Sequence, residues 1–379
     1  MAKKAYIGVD NIARKIKKGY IGIDGVARKI KKAYIGIGGV ARPCWSSGLE
    51  YYGTIESFNN SKSKAAATTV GDYALFGGGY IGGSYRSEVA PINKSLTRST
   101  ATAFSEGRGM LAATTVGDYA LFGGGSTASS GSILRISNVD AYNKSLTHST
   151  PTKLSVGREN LAATTVGDYA LFGGGSSGSS AYVSAVDAYN KSLTRSTPTA
   201  FSEGRGGLAA TTVGDYAIFG GGSSGTSSYV SSVAAYDKSL TRSLPTELSV
   251  ARRYLAATTV GDCALFGGGS KSGGFGVKSD VTVDAYNKSL TRSTPTALST
   301  GRLELGATTL HGYALFCGGR SDSIVNTPLK VVDTYDVSLT MSTLPEMAVG
   351  RNGASAASVG NYALISGGNR LDVDVYMAG

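Results

Sequence analysis

Ala66-Ala67-Thr68-Thr69-Val70-Gly71-Asp72-Tyr73-Ala74-Leu75-Phe76-Gly77-Gly78-Gly79 decides how this chain is read, because related copies of it return six more times. With the Tyr of Gly-Asp-Tyr as a marker, the copies fall at Tyr73, Tyr119, Tyr169, Tyr216, Cys263 in the same slot, Tyr313 and Tyr362. The intervals are 46, 50, 47, 47, 50 and 49 residues. So regular a period describes one repeat domain, since each unit has to bury its faces against its neighbours.

Within a unit, short β-compatible runs alternate with turn residues. In the third unit the runs are 161–166, 169–172, 183–189 and 193–200. The first two are joined by Gly-Asp in five copies and by His311-Gly312 and Gly360-Asn361 in the last two, which predicts a tight hairpin through positive φ. Pro151, Pro198, Pro245, Pro295 and Pro345 fall in the fourth run, which predicts an outer edge strand. The chain is 41% apolar and 17% charged with 54 Gly, a composition of short strands and tight turns rather than amphipathic helices. Four strands in each unit predict an all-β propeller of seven blades. The fourth run follows the markers only six times, so residues 51–59 are expected to complete the last blade and remove an exposed edge.

Gly-Gly closing the second run, a variable loop, Asp-Ala-Tyr (Asp140 to Tyr142, Asp187 to Tyr189, Asp284 to Tyr286) and Gly-Arg ahead of the first run together resemble the kelch repeat. The resemblance covers residues 50–379 and implies a seven-bladed kelch-like β-propeller. The Trp that often follows the Tyr in kelch units is absent.

Residues 1–43 are different. They hold eleven Lys and Arg against Asp10 and Asp24, a net of +9, which leaves +2 of the chain's +11 for the remainder. Three copies of a 14-residue pattern place Asp10-Asn11, Asp24-Gly25 and Gly38-Gly39 between β-compatible runs, which predicts three hairpins. A helix through Ile12 and Ile16 is the competing reading, opposed by Gly8, Gly22 and Gly36. So short a segment buries no core of its own and is expected to be ordered by a partner or by copies of itself. Its contacts are expected from Lys3, Lys4, Tyr6, Lys17, Lys18, Tyr20, Lys31, Lys32 and Tyr34, with residues 44–49, which include the only Trp, as a junction.

This triplet, ending Gly-Gly-Val-Ala-Arg-Pro-Cys-Trp, is similar to the leader of virion structural proteins from phages and prophages of Gram-positive bacteria. The likeness implies an arm that docks on other virion proteins, a homo-oligomer, and residence in the virion. There is no apolar signal core and no run long enough to cross a bilayer as a helix, so no membrane association is expected.

Catalytic chemistry finds little material. His148 and His311 have no metal spacing, and Cys44, Cys263 and Cys317 imply neither a disulfide framework nor a zinc site. No catalytic residue, cofactor or metal is therefore expected. Asp72, Asp118, Asp168, Asp215 and Asp262 recur identically in successive units and read as scaffold. Arg108, Arg158, Arg205, Arg252, Arg302 and Arg351 are expected to bridge blades through carbonyls, the other reading being a ring of charge for an anion.

Function is sought where the copies disagree. The loops after the Gly runs offer Tyr80, Tyr85, Arg86, Arg135, Tyr182, Tyr229, Phe275, Lys278 and Arg320 as contacts for a protein or a host-surface glycan. Gly109-Met110, Glu159-Asn160, Arg253-Tyr254 and Leu303-Glu304, just after the repeated Arg, offer a second surface. Two alternatives stay open. A carbohydrate-active kelch-type enzyme would need unlike residues around the axis, and nucleic-acid binding through the arm would show steep salt dependence.

Overall fold

The computed structural model describes residues 6–9, 12–15, 19–23, 26–30, 32–37, 40–46, 48–56, 63–81, 83–129, 132–225, 228–272, 277–322, 326–368 and 370–378. All regular elements among them are strands. From Leu49 onward, seven antiparallel sheets contact one another through their first strands in a closed ring, the seventh returning to the first. This is a seven-bladed β-propeller.

Blade 3 is representative. Its strands are Ala162–Val166, Tyr169–Gly173, Val186–Asn190 and Arg195–Ser196, paired in that order. The turn glycine has φ of 53° at Gly167, a conformation that costs an L side chain about 1–2 kcal/mol. The expected long fourth strand is only two residues here, and Pro198 lies beyond it in the segment that leads to the next Arg. Proline has no N–H for the ladder, so pairing stops before it. Blade 1 has three strands, with a single bridge between Ile92 and Arg98 where the others have an outer strand.

The seventh blade takes its outer strand from the beginning of the chain. Leu49–Glu56 pairs antiparallel with Asp372–Ala378, from Leu49 beside Ala378 to Glu56 beside Asp372. The expected strand at 51–59 thus starts two residues earlier, and residues 57–59 lie outside the described ones.

The core lies between blades, in seven apolar layers that each draw on two neighbouring sheets. Phe122, Phe172, Phe219, Phe266 and Phe316 are fully buried there, each contributing about 1.5–3 kcal/mol relative to exposure. Six buried tyrosines reach across the layers; Tyr189, for example, donates its hydroxyl to Thr152 O of the preceding blade at 2.7 Å.

Before Leu49 the backbone forms three separate hairpins: Tyr6–Val9 with Ile12–Lys15, Gly19–Ile23 with Val26–Ile30, and Lys32–Ile37 with Val40–Ser46. Strand pairing replaces the competing helix. The turn residues 10–11, 24–25 and 38–39 are outside the described ones. Pro43 to Ser46, expected in or beside the junction, continue the last strand instead, and a register shift between Ala33 and Tyr34 accommodates them.

Candidate functional site

Arg158 is fully buried and donates to Phe172 O at 3.0 Å and to Asp187 at 2.8 Å, both in its own blade. The same pairing recurs as Arg108–Asp140, Arg252–Asp284, Arg302–Asp333 and Arg351–Asp374. Burial lowers the pKa of Arg108 and Arg158, and the neighbouring carboxylate opposes it. The side chains therefore bind carbonyls and carboxylates within a blade; the link between blades is the Arg main chain, as where Gly125 N donates to Arg158 O at 2.8 Å. A Cβ on Gly124 would lie 2.6 Å from that carbonyl, which explains the Gly-Gly runs.

Arg205 departs from the pattern. Ala234 stands where the others have Asp, and Arg205 instead meets Ser232 and, at 3.4 Å, Phe219 O. Burial pushes it down to about 10. His148, in place of a repeated Arg, holds Asp140 at 2.6 Å much as Arg195 holds Asp187. With the guanidinia buried and engaged, the anion-ring reading fails.

Two residues after each Arg, the chain turns into the axis. Met110, Asn160, Tyr254 and Glu304, with Lys64 in blade 1, all have φ of 54–57°, and Gly207 and Gly353 occupy the same position at 67° and 53°. Their main chains form a closed ring of hydrogen bonds: Met110 N to Lys64 O, Asn160 N to Met110 O, and so on through Ala354 N to Glu304 O and Lys64 N to Gly353 O. The backbone repeats, yet the side chains are Lys, Met, Asn, Gly, Tyr, Glu and Gly. Glycine would be the least strained residue at each position, and five of the seven nevertheless carry a side chain. Beneath the rim lie Leu111, Leu161, Leu208, Leu255 and Leu305, and together they enclose a funnel of about 230 Å³.

The variable loops sit at the same end. In five blades the residue following the Arg bridges the first residue after a Gly run, as Glu159 does Ser176, Arg253 does Ser270 and Leu303 does Arg320. The two surfaces proposed from sequence are one face. An off-axis groove of about 160 Å³ opens from the funnel between Arg135, Glu159, Asn160, Tyr182, Arg253 and Tyr254. Arg135 donates to Glu159 at 3.0 and 3.2 Å, and Arg320 to Glu304 at 3.0 and 3.3 Å. The Arg253 guanidinium lies over both Tyr229 and Tyr254, at 4.9 and 5.0 Å from the ring centres. Burial raises the Tyr254 pKa despite Arg253, so the phenol stays a donor. Its ring lies over Gly207, where a Cβ would meet it at 3.1 Å.

Of the residues expected from sequence, Arg135, Tyr182, Tyr229 and Arg320 gather around the funnel and groove. The Tyr80 and Tyr85 rings meet at a tilt of 56°, with centres 5.0 Å apart, in a hairpin of blade 1 next to Arg86. Lys278 is exposed on a hairpin of blade 5, opposite Lys271. Tyr6, Tyr20, Lys32 and Tyr34 lie in arm strands, and Lys3, Lys4, Lys17, Lys18, Lys31 and Phe275 are outside the described residues. Of the rim members, Met110, Asn160, Tyr254 and Glu304 belong to the second surface expected from sequence, and Lys64 does not; their signal is the repeat position that differs in blade after blade while its flanks hold. Among the described residues, no three His, Cys, Asp or Glu side chains come together to hold a metal ion.

The opposite end of the propeller carries the Gly-Asp turns, and the arm joins there. Leu49 pairs with Ala378, whose N–H donates to Asn361 O in the last turn at 2.9 Å.

No family profile matches the chain, and no curated protein does. Among solved structures, one titled "Structure of YjhT" superposes with a TM-score of 0.61, covering 76% of this chain and 99% of that one at 14% identity. At that identity the likeness supports the propeller fold alone.

Proposed function

We propose that this chain is a non-enzymatic binding module of a phage virion, a divergent kelch-type propeller that the basic arm docks on neighbouring virion proteins. The funnel and groove are presented to a host-surface glycan or protein, and several copies assemble through the arm. The observation that carries the reading is polarity: the rim of unlike side chains is at one end of the axis, and the arm joins at the other. Tyr rings offer apolar faces to a sugar, and the Arg135–Glu159 pair and Asn160 offer directional donors and acceptors to its hydroxyls.

The test is capture of host cell-wall glycans by the full chain, compared with Glu159→Gln and Tyr182→Ala, alongside mass spectrometry of purified particles. Glycan capture weakened by both substitutions, with the protein present in particles, is the expected result. Particles without the protein, or capture indifferent to both changes, would overturn it. A carbohydrate-active enzyme is the second reading, favoured by the unlike residues at the axis; glycan turnover abolished by Glu304→Gln would put it first.

A further inference from the structure

Blade 4 differs from its sisters at one buried position, away from the funnel and independent of the reading just given. In blade 3 three donors converge on the Asp187 carboxylate: the buried Arg158 guanidinium at 2.8 Å, the outer-strand Arg195 at 3.1 Å and the main-chain N–H of Ser155 at 3.1 Å. Blade 5 repeats the arrangement around Asp284, with Arg252 at 2.8 Å, Arg292 at 2.9 Å and Ser249 N at 3.0 Å. The fold fixes this constellation. The main-chain donor stands three residues before the buried Arg, and the Asp pairs in register with the Phe of the second strand.

Blade 4 keeps all three donors. Arg205 and Arg242 hold the two guanidinium positions, Ser202 stands three residues before Arg205, and Ala234 pairs with Phe219 in the same register. What this blade lacks is the acceptor, because a methyl group stands where the sisters carry a carboxylate. Its donors turn to neutral partners: Arg205 to the carbonyl and hydroxyl of Ser232, and Arg242 to Ala200 O. The Ser202 N–H meets no acceptor among the described residues. Glu203 does not replace the missing group, since it accepts from Ser232 Oγ at 3.0 Å and forms no ion pair with Arg205. Glu106 holds the same repeat position in blade 2, where Asp140 is present as well.

Arg205 is 1% exposed, and a buried guanidinium without its counter-charge is strongly destabilising. Ser202 is exposed and Arg242 half-buried, so the position lies within reach of the blade's outer surface. We propose that blade 4 binds a compact monovalent anion beside Ala234, a halide or a small carboxylate such as formate, which takes the place of the sister blades' aspartate between Arg205, Arg242 and Ser202. Charge-assisted hydrogen bonds from two guanidinia and a main-chain N–H hold it. The difference between Asp and Ala is one carboxylate, and that sets the size of the occupant.

The test follows the thermal transition of the full chain in sodium chloride, bromide, formate and gluconate at matched ionic strength, beside the Ala234→Asp variant, which supplies the carboxylate covalently. The transition of the unaltered chain should climb saturably, by several degrees, with the compact anions and not with gluconate, which is too bulky to enter. In Ala234→Asp it should start higher and no longer respond. Crystals soaked in bromide or formate should show the ion beside Ala234, bromide by its anomalous signal. Should Ala234→Asp not fold, those maps still decide, together with Arg242→Gln, which should weaken the anion response several-fold. A response to halides alone assigns a halide site, and to formate alone a carboxylate site. An anion response as large in Ala234→Asp as in the unaltered chain, a transition indifferent to all four salts, or neither ion beside Ala234 would overturn the proposal.

Discussion

The two ends of the propeller axis are built from the same strands and differ in every other respect. At the turn end, Thr69 and its counterparts repeat one hydrogen bond seven times, and the only lapse among the paired hydroxyls is Ala357. At the loop end, the backbone closes an equally regular ring, but Lys64, Met110, Asn160, Tyr254 and Glu304 share no chemistry. Identity between copies follows from each blade having to fit its neighbours. Difference is tolerated where side chains leave the inter-blade layers, and there it makes the face asymmetric.

If repetition marks scaffold and variation marks binding, disturbing each should move different observables. The largest effect is expected from alkali. Burial raises the pKa of Tyr142, Tyr189, Tyr236, Tyr286, Tyr335 and Tyr376 far above the ordinary 10.0. A raised folded pKa means stability that is complete below pH 10 and lost above it, by roughly 1.4 kcal/mol per tyrosine for each pH unit. Phenolate absorbance of these six should therefore appear together with unfolding, not before it; early ionisation without unfolding would contradict the strap geometry.

Next comes Asp284→Ala, which leaves the Arg252 guanidinium buried without its carboxylate. Chemical denaturation should show a loss of about 3–5 kcal/mol. A loss near zero would mean that the other pairs relax as blade 4 does around Arg205. Tyr254→Ala acts on the opposite end. Affinity for a captured glycan should fall about tenfold or more, roughly 1.4 kcal/mol, with the thermal transition unmoved.

Smaller still, Ala357→Thr supplies the hydroxyl missing opposite Thr69 and should add about 0.5–1.5 kcal/mol in the same denaturation assay. Met110→Gly removes a left-handed side chain, which costs about 1–2 kcal/mol, against about 0.4–1 kcal/mol of added chain freedom. The net is a stabilisation of about 0–1.6 kcal/mol; a loss of stability would show Met110 to be scaffold.

The propeller was legible because its causes are local and repeated: turn residues at fixed offsets, alternating apolar positions, and a period too regular for separate domains. The outer strands were read too long, since the sequence does not show that Pro198 and its counterparts fall after pairing has ended. The loop residues Arg135, Tyr182, Tyr229 and Arg320 were visible as departures from the repeat, but their convergence with Glu159, Arg253, Tyr254 and Glu304 was not.

By itself, the sequence determined the number of blades, the hairpin turns, the recurrence of the Arg and Tyr and the basic arm, all of which follow from neighbours along the chain or from one unit meeting its copy. Only the tertiary structure decided which face gathers the unlike residues, that the arm joins at the opposite one, and which carbonyl each threonine hydroxyl meets. Those depend on closing the ring, which brings Lys64 beside Gly353 and Thr69 beside Ser358 across nearly the whole length of the chain. No local pattern carries that information, because closure is a property of seven blades together.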